Sequence, residues 1–494
     1  MYGEEKSDSL IVAANLANNP QGAESVERRS GAKGNAEQPH MRRTQSRESM
    51  SQRLSRVREA AKQRKKERFT ALFHLLTAEA LENAFLSLSR KAAAGVDGVR
   101  WKDYAENLKV NIADLHRRLH QGSYRAQPGR RHYIPKADGK QRPLGIASLE
   151  DKIVQYALVK ILNAVYENDF MGFSYGFRPG RSQHNALDAL ATGLVRTNVN
   201  WVLDADISQF FDKVSHEWLI RFIEHRIGDQ RVIRLIRKWL TAGTSEEGEW
   251  RASEEGTPQG AVISPLLANI YLHYVFDLWA HQWRRRHATG NVVMVRYADD
   301  IVIGFDKRID AQCFRIAMQR RLKEFGLTVH PEKTRLMEFG RFAAENRASR
   351  GKGKPETFNF LGFTHISGKD RSGRFMLIRK TRRDRMTATL KAIKDGLRKR
   401  WHYSIPEQGK WLRRVVQGYL NYHSVPGNYP MMRKFRIYVT DLWRRALRRR
   451  SQQDDTTWTK ANRLAAVWLP KVRVLHPWPV ERFTARHPRQ EPGA

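Results

Sequence analysis

Cysteine is almost absent from this 494-residue sequence, which contains only Cys313. A single cysteine can form neither an internal disulfide nor a Cys-x-x-Cys zinc site, so we expect a cytoplasmic protein without structural zinc. Long apolar runs are also missing. The mean hydropathy is −0.64, and the most apolar stretch, residues 261–279, is interrupted by a proline and several polar side chains. The sequence therefore predicts no membrane span and no membrane partner.

Acidic residues are scarce relative to basic ones. The chain has 51 Asp and Glu against 89 Lys and Arg, so its formal net charge is +38. Folding alone does not require this self-repelling balance, which indicates a polyanionic partner. With 40% apolar and 10% aromatic residues, the chain can bury a sizeable core, which excludes wholesale disorder.

Composition divides the chain into four regions. Residues 1–65 are polar and increasingly basic and are predicted to be a disordered extension, with a helix from Gln52 as an alternative for its basic inner half. Residues 66–375 carry both helical and strand patterns and are predicted to be a mixed α/β region. Residues 376–450 are predicted to be helical and cationic, with a net charge of +15 over residues 381–450. Residues 451–494, rich in proline and arginine, are expected to be an irregular extension, either a reduced DNA-binding region or a tail packed on the preceding helical region.

Two strands and a tight turn are predicted within residues 292–305. Two apolar runs there flank an Arg-Tyr-Ala-Asp-Asp segment, so the turn carries Asp299 and Asp300. Charges about 4 Å apart repel by roughly 4 kcal/mol at an effective dielectric near 20, so we expect a cation beside this pair. Elsewhere, residues 150–170 show helical spacing, and residues 201–207 are predicted to be a buried strand.

Asp206, at the end of the strand predicted at residues 201–207, is the candidate third acid. Carboxylate oxygens with room left for water and phosphates suit Mg²⁺, and two such ions can stabilise both oxygens of a phosphoryl transfer. Alone this signal is weak, because solvated acids at strand ends are common.

Asp206 and Tyr297-Ala298-Asp299-Asp300 belong to a larger ordered set of motifs. Together these resemble the fingers and palm of reverse transcriptases, in particular group II intron-encoded proteins, over about residues 66–480. The other motifs are Gly-Val-Asp-Gly at 95–98, Ile-Pro-Lys-Ala-Asp-Gly-Lys-Gln-Arg-Pro-Leu-Gly-Ile at 134–146, Gly-Phe-Arg-Pro-Gly-Arg-Ser at 176–182, Gly-Thr-Pro-Gln-Gly at 256–260 and Phe-Leu-Gly-Phe at 360–363.

The resemblance implies a mixed α/β (α+β) right-hand polymerase fold. Its fingers and antiparallel palm sheet would occupy residues 66–375, followed by an α-helical thumb, or maturase, domain at residues 376–450. It also implies that Asp206, Asp299 and Asp300 are catalytic and hold two Mg²⁺ ions, for which Mn²⁺ can substitute.

Five further residues are implied to bind substrate. Lys136 and Arg142 would hold the triphosphate of the incoming nucleotide, and Gln259 would lie beside the nascent base pair. Phe211 would be the steric gate against a ribose 2′-OH, and Lys333 a general acid for the leaving pyrophosphate. Taken singly, the phenylalanine would be core filler and the cations solvated surface groups.

The implied partners are nucleic acids and nucleotides. They are an RNA template with its DNA primer, deoxynucleoside triphosphates, target DNA, and a group II intron RNA bound by the basic thumb in the bacterial cytosol or nucleoid. Thumb tryptophans such as Trp401, Trp411 and Trp443 are expected to pack the core. The glycines of residues 256–260 are expected to let the backbone approach a nucleic-acid strand closely. The His/Cys-rich endonuclease domain of many relatives is not expected, and the oligomeric state is left open.

Two alternative functions stay open at this point. One is a reverse transcriptase of the same ancestry that works without an intron, in defence or repair. The other is a non-catalytic RNA-binding splicing factor with a decayed polymerase, against which the intact Asp206, Asp299 and Asp300 argue.

Overall fold

The computed structural model describes residues 39–135, 141–246, 248–252, 255–257, 260–450 and 456–486. For residues 39–49, 135 and 486 it describes the backbone alone. The α-helices are α1 (Pro39–Gln63), α2 (Ala78–Ser87), α3 (Trp101–Glu106), α4 (Leu108–Gln121), α5 (Leu149–Tyr166), α6 (Gln183–Arg196), α7 (His216–Glu224), α8 (Gln230–Thr241), α9 (Ser264–Leu272), α10 (Leu278–Arg286), α11 (Arg308–Glu324), α12 (Ala343–Ala348), α13 (Arg383–Arg398), α14 (Ile405–His423), α15 (Tyr429–Arg448), α16 (Trp458–Trp468) and α17 (Pro479–Arg486).

The strands form three sheets. They are β1 (Gly129–Pro135), β2 (Gln141–Ile146), β3 (Trp201–Asp206), β4 (Thr244–Glu246), β5 (Glu249–Arg251), β6 (Val292–Tyr297), β7 (Asp300–Phe305), β8 (Arg335–Glu338), β9 (Phe358–Phe360), β10 (Phe363–Lys369) and β11 (Phe375–Thr381). The sheet orders are β6-β7-β3-β8, β2-β1-β4-β5 and β11-β10-β9. All pairings are antiparallel except that of β1 with β4, which is parallel.

The β6-β7-β3-β8 sheet, the palm sheet, lies at the centre of the polymerase-like region. Successive side chains of a strand point to opposite faces, and both faces are covered. Val293 and Val295 pack with helix α6 on one face, while Met294 joins the large core with α9 and α11 on the other. The strands predicted within residues 201–207 and 292–305 and the antiparallel palm sheet are therefore confirmed.

The N-terminal region differs from the disordered extension predicted for residues 1–65. Residues 1–38 lie outside the described part, but Pro39–Gln63 is a helix whose Ala61 is completely buried. Arg226, more than 150 residues away, donates hydrogen bonds to the carbonyl oxygens of Arg64 (3.0 Å) and Glu67 (2.6 Å), just beyond the helix. Because this anchor is tertiary, the local composition does not reveal it.

The helical region has its own core, formed by residues of helices α13 to α16. Its start differs slightly from the boundary predicted at residue 376, because strand β11 continues to Thr381. The expectation of an irregular extension over residues 451–494 is wrong for two segments, α16 and α17. Ala465 and Leu469 of the first join the helical core, and Phe483 of the second joins the core beneath α6. In the described part of the chain, no helix is long and apolar enough to cross a membrane.

Residues 470–486, the C-terminal strap, tie the helical region back to the palm. Arg482 of the strap and Arg379 of β11 both pair with Asp188 of α6, and these three side chains are largely buried. The ring of His476 stacks on His184 of α6 with centroids 4.1 Å apart, and its Nε2 donates to a backbone carbonyl of α14. The strap thus joins three parts of the chain through one shared carboxylate.

Replacing Asp188 by Asn should destabilise the protein strongly, because two buried guanidinium groups would lose their carboxylate. Breaking a buried ion pair from one side costs about 3–5 kcal/mol, so we expect a clearly lower urea-unfolding midpoint and faster hydrogen exchange in α17. The matched control is Glu217→Gln, which removes one charge from an exposed pair with Arg221 and should cost less than about 1 kcal/mol. Equal midpoints for the two variants would contradict this role of Asp188.

Candidate active site

Asp206 and Asp300 lie opposite each other on neighbouring strands. Strand β3 ends at Asp206, β7 begins at Asp300, and their antiparallel register pairs these two residues directly. Directly opposed residues of such a pair have Cβ atoms about 5 Å apart. Asp299 precedes Asp300 in the turn, close enough to Asp206 for their charges to interact. The structure therefore brings the three predicted aspartates together at one end of the palm sheet.

The turn at residues 297–300, the aspartate turn, has a constrained backbone. Its Ala298 has a φ of +56°, in the left-handed region that residues with a Cβ adopt at a cost. Gly176 packs against it so closely that a Cβ at that position would lie 2.4 Å from the Ala298 nitrogen. The first glycine of the 176–182 motif therefore permits the close packing that supports this turn.

Arg296 lies directly beneath the aspartate turn and is completely buried. Its guanidinium donates to both carboxylate oxygens of Asp277, at 2.7 and 2.5 Å, and to the carbonyl oxygen of Ala298 at 3.0 Å. Further donors reach Asn269 Oδ1 (3.2 Å) and Ser174 Oγ (2.7 Å). This network, which the sequence analysis missed, fixes the turn to three other segments of the chain.

Asp277 closes a π-helical turn, His273–Asp277, inserted between α9 and α10. Such turns are rare and frequently lie at functional sites. The apolar stretch of residues 261–279 is therefore helical from Ser264 onwards, and this π-helical turn interrupts it. The sequence offered two signals for this ion pair: Asp277 within an apolar run, and Arg296 just before the turn. Neither signal identifies the other residue as its partner.

The gathered carboxylates change one another's acidity. Burial, followed by the charges of Asp299, Asp206 and Asp204, raises the pKa of Asp300 to about 7. Burial and then Asp206 raise the pKa of Asp299, against the opposite effects of nearby cations. Asp204, a fourth carboxyl that was not predicted, has its pKa raised to about 7, mainly by burial. The Asp-Ala-Asp pattern at residues 204–206 was the sequence signal for Asp204, because alternate residues of a strand lie on the same face.

Two of the predicted cations lie at these carboxylates. Lys333 Nζ is 2.9 Å from Asp206 Oδ2, and the loop before it is held in place because His330 N donates to the Asp206 carbonyl at 2.7 Å. Arg142 of strand β2 lies close enough to Asp299 to lower the pKa of that carboxyl, opposing the effect of burial. The cation expected beside the acidic turn is thus present in the form of these two side chains.

Phe211 lies in a 3-10 turn, Phe210–Asp212, shortly after Asp206. Its carbonyl accepts a 2.7 Å hydrogen bond from Thr257 N. Gly256 (φ +84°) packs so closely here that a Cβ would lie 2.9 Å from the Phe211 carbonyl oxygen. Contact with protein backbone therefore explains this glycine, in place of the expected approach of a nucleic-acid strand.

Lys136 and Gln259 lie outside the described residues, so their substrate-binding roles stay predictions. One exposed aromatic near the site was missed. Phe177 is 52% exposed, has a positive φ of +57° and lies beside Tyr297 with ring centroids 6.3 Å apart. Its place in the 176–182 motif was the available signal.

Asp206, Asp299 and Asp300 are the candidate ligands of a divalent cation. Among the described residues, no group of three or more His, Cys, Asp or Glu side chains is arranged to hold a metal ion. The chemistry of the donors nevertheless fits, because Asp206, Asp299 and Asp300 offer hard oxygen ligands. Burial and then neighbouring carboxylates raise the pKa values of Asp299 and Asp300, and Lys333 at both groups and Arg142 at Asp299 only partly oppose this rise. These three aspartates are the side chains that would hold such an ion.

Replacing Asp277 by Asn should impair the site without touching substrate, because it leaves the Arg296 charge buried and removes the anchor of the aspartate turn. A misplacement of about 1 Å can cost about 10²-fold in rate. We expect such a fall in kcat for primer extension on an RNA template, the activity that the resemblance implies, with little change in the KM for nucleotide.

The control is Asp310→Asn, which alters another buried carboxylate that accepts hydrogen bonds from Thr289 N and Gly290 N, away from the turn. Both variants are compared at a temperature where each is folded. The positioning role of Asp277 would be refuted if the two variants lost the same fraction of kcat.

Comparison with known proteins agrees with this geometry. Residues 134–365 match the sequence profile of the family described as reverse transcriptase (RNA-dependent DNA polymerase). Protein YkfC of Escherichia coli (strain K12) is 43% identical over 206 residues, which are 41% of this chain and 54% of that protein. The group II intron-encoded protein LtrA of Lactococcus lactis subsp. cremoris is 37% identical over 223 residues, 44% of this chain and 37% of LtrA.

The similarity also extends beyond the central domain. The putative COX1/OXI3 intron 1 protein of Saccharomyces cerevisiae is 26% identical over 393 residues, which are 66% of this chain and 46% of that protein. This chain thus spans about a third to just over half of the length of these curated relatives. Residues 134–365 thus match the reverse transcriptase family, and the relatives to which the chain is similar in part include a group II intron-encoded protein.

Proposed function

We propose that this protein is an RNA-directed DNA polymerase that also binds its own intron RNA, assists its splicing and supports intron mobility. One observation carries the polymerase activity: Asp206, Asp299 and Asp300 meet at one end of an antiparallel sheet, inside the region that matches the reverse transcriptase profile. The proposed substrates are an RNA template, a DNA primer and deoxynucleoside triphosphates, and the proposed ions are two Mg²⁺, replaceable by Mn²⁺.

The three aspartates supply negative charge at the end of the palm sheet, where the reaction would take place. When bound, divalent cations stabilise the attacking and leaving oxygens of a phosphoryl transfer. Lys333 holds a proton on Nζ at this same edge, where it now donates to Asp206, and we assign it as the proton donor to the leaving pyrophosphate. Arg142 presents a planar donor pair suited to a phosphate of the incoming nucleotide.

Sugar selection is assigned to Phe211. Phe211 follows Asp206 closely in the chain, in a turn held by the hydrogen bond from Thr257, and we assign its ring to the edge of the site. A ring held there would reject a ribose 2′-OH by steric conflict while accepting a deoxyribose.

Binding of intron RNA is assigned to the helical thumb. A net charge of +15 over residues 381–450 gives this domain the electrostatic footprint of a phosphate-binding surface. The names of the LtrA and yeast relatives favour an intron-linked role over a polymerase recruited to defence or repair. The intact carboxylate cluster opposes the alternative of a splicing factor without polymerase activity.

Replacing Asp299 and Asp300 together by Asn should abolish cDNA synthesis but leave RNA binding intact. Because the negative donors are removed, we expect at least a roughly thousandfold loss of primer extension, whereas the Kd for intron RNA, set by the thumb, should not change. The control Glu324→Gln with Glu345→Gln removes the same charge from exposed ion pairs. Loss of RNA binding together with synthesis would refute this division of labour.

Phe211→Ala should relax the choice of sugar, because the bulk that excludes a 2′-OH is removed. We expect the ratio of deoxynucleotide to ribonucleotide kcat/KM to fall at least about tenfold, measured by single-nucleotide extension on a primed RNA template. Phe211→Tyr keeps the ring and should keep the discrimination. An unchanged ratio in the alanine variant would remove the steric-gate assignment.

A further inference from the structure

A small basic groove lies between thumb helices α13 and α15. It encloses about 110 Å³, too little for a drug-sized ligand but suited to one planar group. The lining side chains are Lys394, Leu397, Arg398, Trp401, Leu442, Arg445, Ala446 and Arg449.

The sequence pattern builds this groove symmetrically. Positions 394, 397, 398 and 401 share one face of one helix and its extension, and positions 442, 445, 446 and 449 share one face of the other, because helical neighbours are three and four residues apart. Each helix therefore contributes two cations and two less polar side chains. Four cations face one another across an apolar floor.

Carboxylates do not balance these cations. Arg445 Nε is 2.7 Å from Asp441 Oδ2, but Asp441 is shared with Arg444. Lys394, Arg398 and Arg449 have no carboxylate within ion-pair distance among the residues that the structure describes. Four cations with one shared carboxylate among them give the groove an excess of positive charge, which is complementary to phosphate.

Trp401 gives the groove an aromatic wall with an unused donor. Its indole Nε1 is buried and has no hydrogen-bond acceptor among the described groups. The contrast with Trp443 is direct, since that indole donates to Gln408 Oε1 at 2.9 Å inside the thumb core. The position of the Trp401 ring is therefore not fixed by a hydrogen bond of its indole to the described groups, unlike that of Trp443.

We propose that this groove binds one unstacked nucleotide of a single-stranded RNA segment. The base would stack on the ring of Trp401 above the apolar floor, while Arg398, Arg449 and Lys394 would hold the flanking phosphates. Stacking on an aromatic ring beside a basic track is a general mode of single-strand binding. The inference deepens the proposed RNA-binding function, and it separates a single-strand site on the thumb from the binding of the primer-template duplex.

The charge test compares two double variants of the full chain. Arg398→Gln with Arg449→Gln removes two groove cations, and Arg285→Gln with Arg286→Gln removes two exposed cations of α10, outside the groove. The probe is single-stranded oligouridine RNA, followed by fluorescence anisotropy over a range of salt concentrations. Loss of two phosphate contacts should reduce the slope of log Kd against log salt by about 1.4, and the control should keep the wild-type slope.

The stacking test uses Trp401→Ala and Trp401→Phe. Removing a stacking ring should weaken RNA binding about 5- to 100-fold, while the phenylalanine variant should keep most of the affinity. Irradiation of the RNA carrying 4-thiouridine should cross-link it to Trp401 in the wild-type chain. Unfolding midpoints of the variants show that each remains folded.

Primer extension from a preformed duplex separates this proposal from the polymerase function. Unchanged extension with weakened single-strand binding supports the groove. Unchanged single-strand binding in the groove variants, or cross-links only outside the two helices, overturns it even if the chain is an active polymerase. Displacement of the RNA by polyglutamate of equal charge, with no difference between Trp401→Ala and Trp401→Phe, would instead mark a general anion site and also overturn the proposal.

Discussion

The buried ion pair between Arg296 and Asp277 is the interaction on which the site depends. Taking both charges out of water is expensive, and the pair is tolerated because its geometry is bidentate and the remaining guanidinium protons find Ala298, Asn269 and Ser174. A single cation thereby holds together the π-helical turn, the loop before α6 and the left-handed backbone of the aspartate turn. Without this anchor, the relative positions of the three carboxylates would be left to an unsupported loop.

The function of the molecule rests on two local excesses of charge with opposite sign. At the palm, burial and then the neighbouring carboxylates raise the pKa of Asp300 to about 7, and the gathered oxygens suit a divalent cation. At the thumb, cations gather with too few carboxylates to pair them, which favours phosphate. Structural charges behave differently: Asp188 and Asp277 are buried, and each is matched by arginine. Uncompensated charge thus distinguishes the functional regions from the scaffold.

The features that short sequence patterns determine were predicted correctly. Two continuous apolar runs around two acids predicted the hairpin of β6 and β7, and the apolar strand ending at Asp206 predicted its neighbour. Tertiary contacts between distant residues could not be predicted from local sequence patterns. Examples are the anchoring of α1 by Arg226 and the attachment of the C-terminal strap through Asp188, which join residues more than 150 positions apart. The same limit applies to Gly256, whose motif was evident but whose close neighbour, the backbone at Phe211, was not.

Three tryptophans of the thumb show why residue type alone leaves a role undecided. All were expected to pack the core, and Trp443 does so, with its N–H satisfied by Gln408. Trp411 is covered by the guanidinium of Arg400, 4.4 Å from the ring. Trp401 lines the cationic groove, and its N–H is buried without an acceptor among the described groups. An indole that donates within the core is fixed as part of the scaffold, whereas a ring that lines a cationic groove can stack on a ligand.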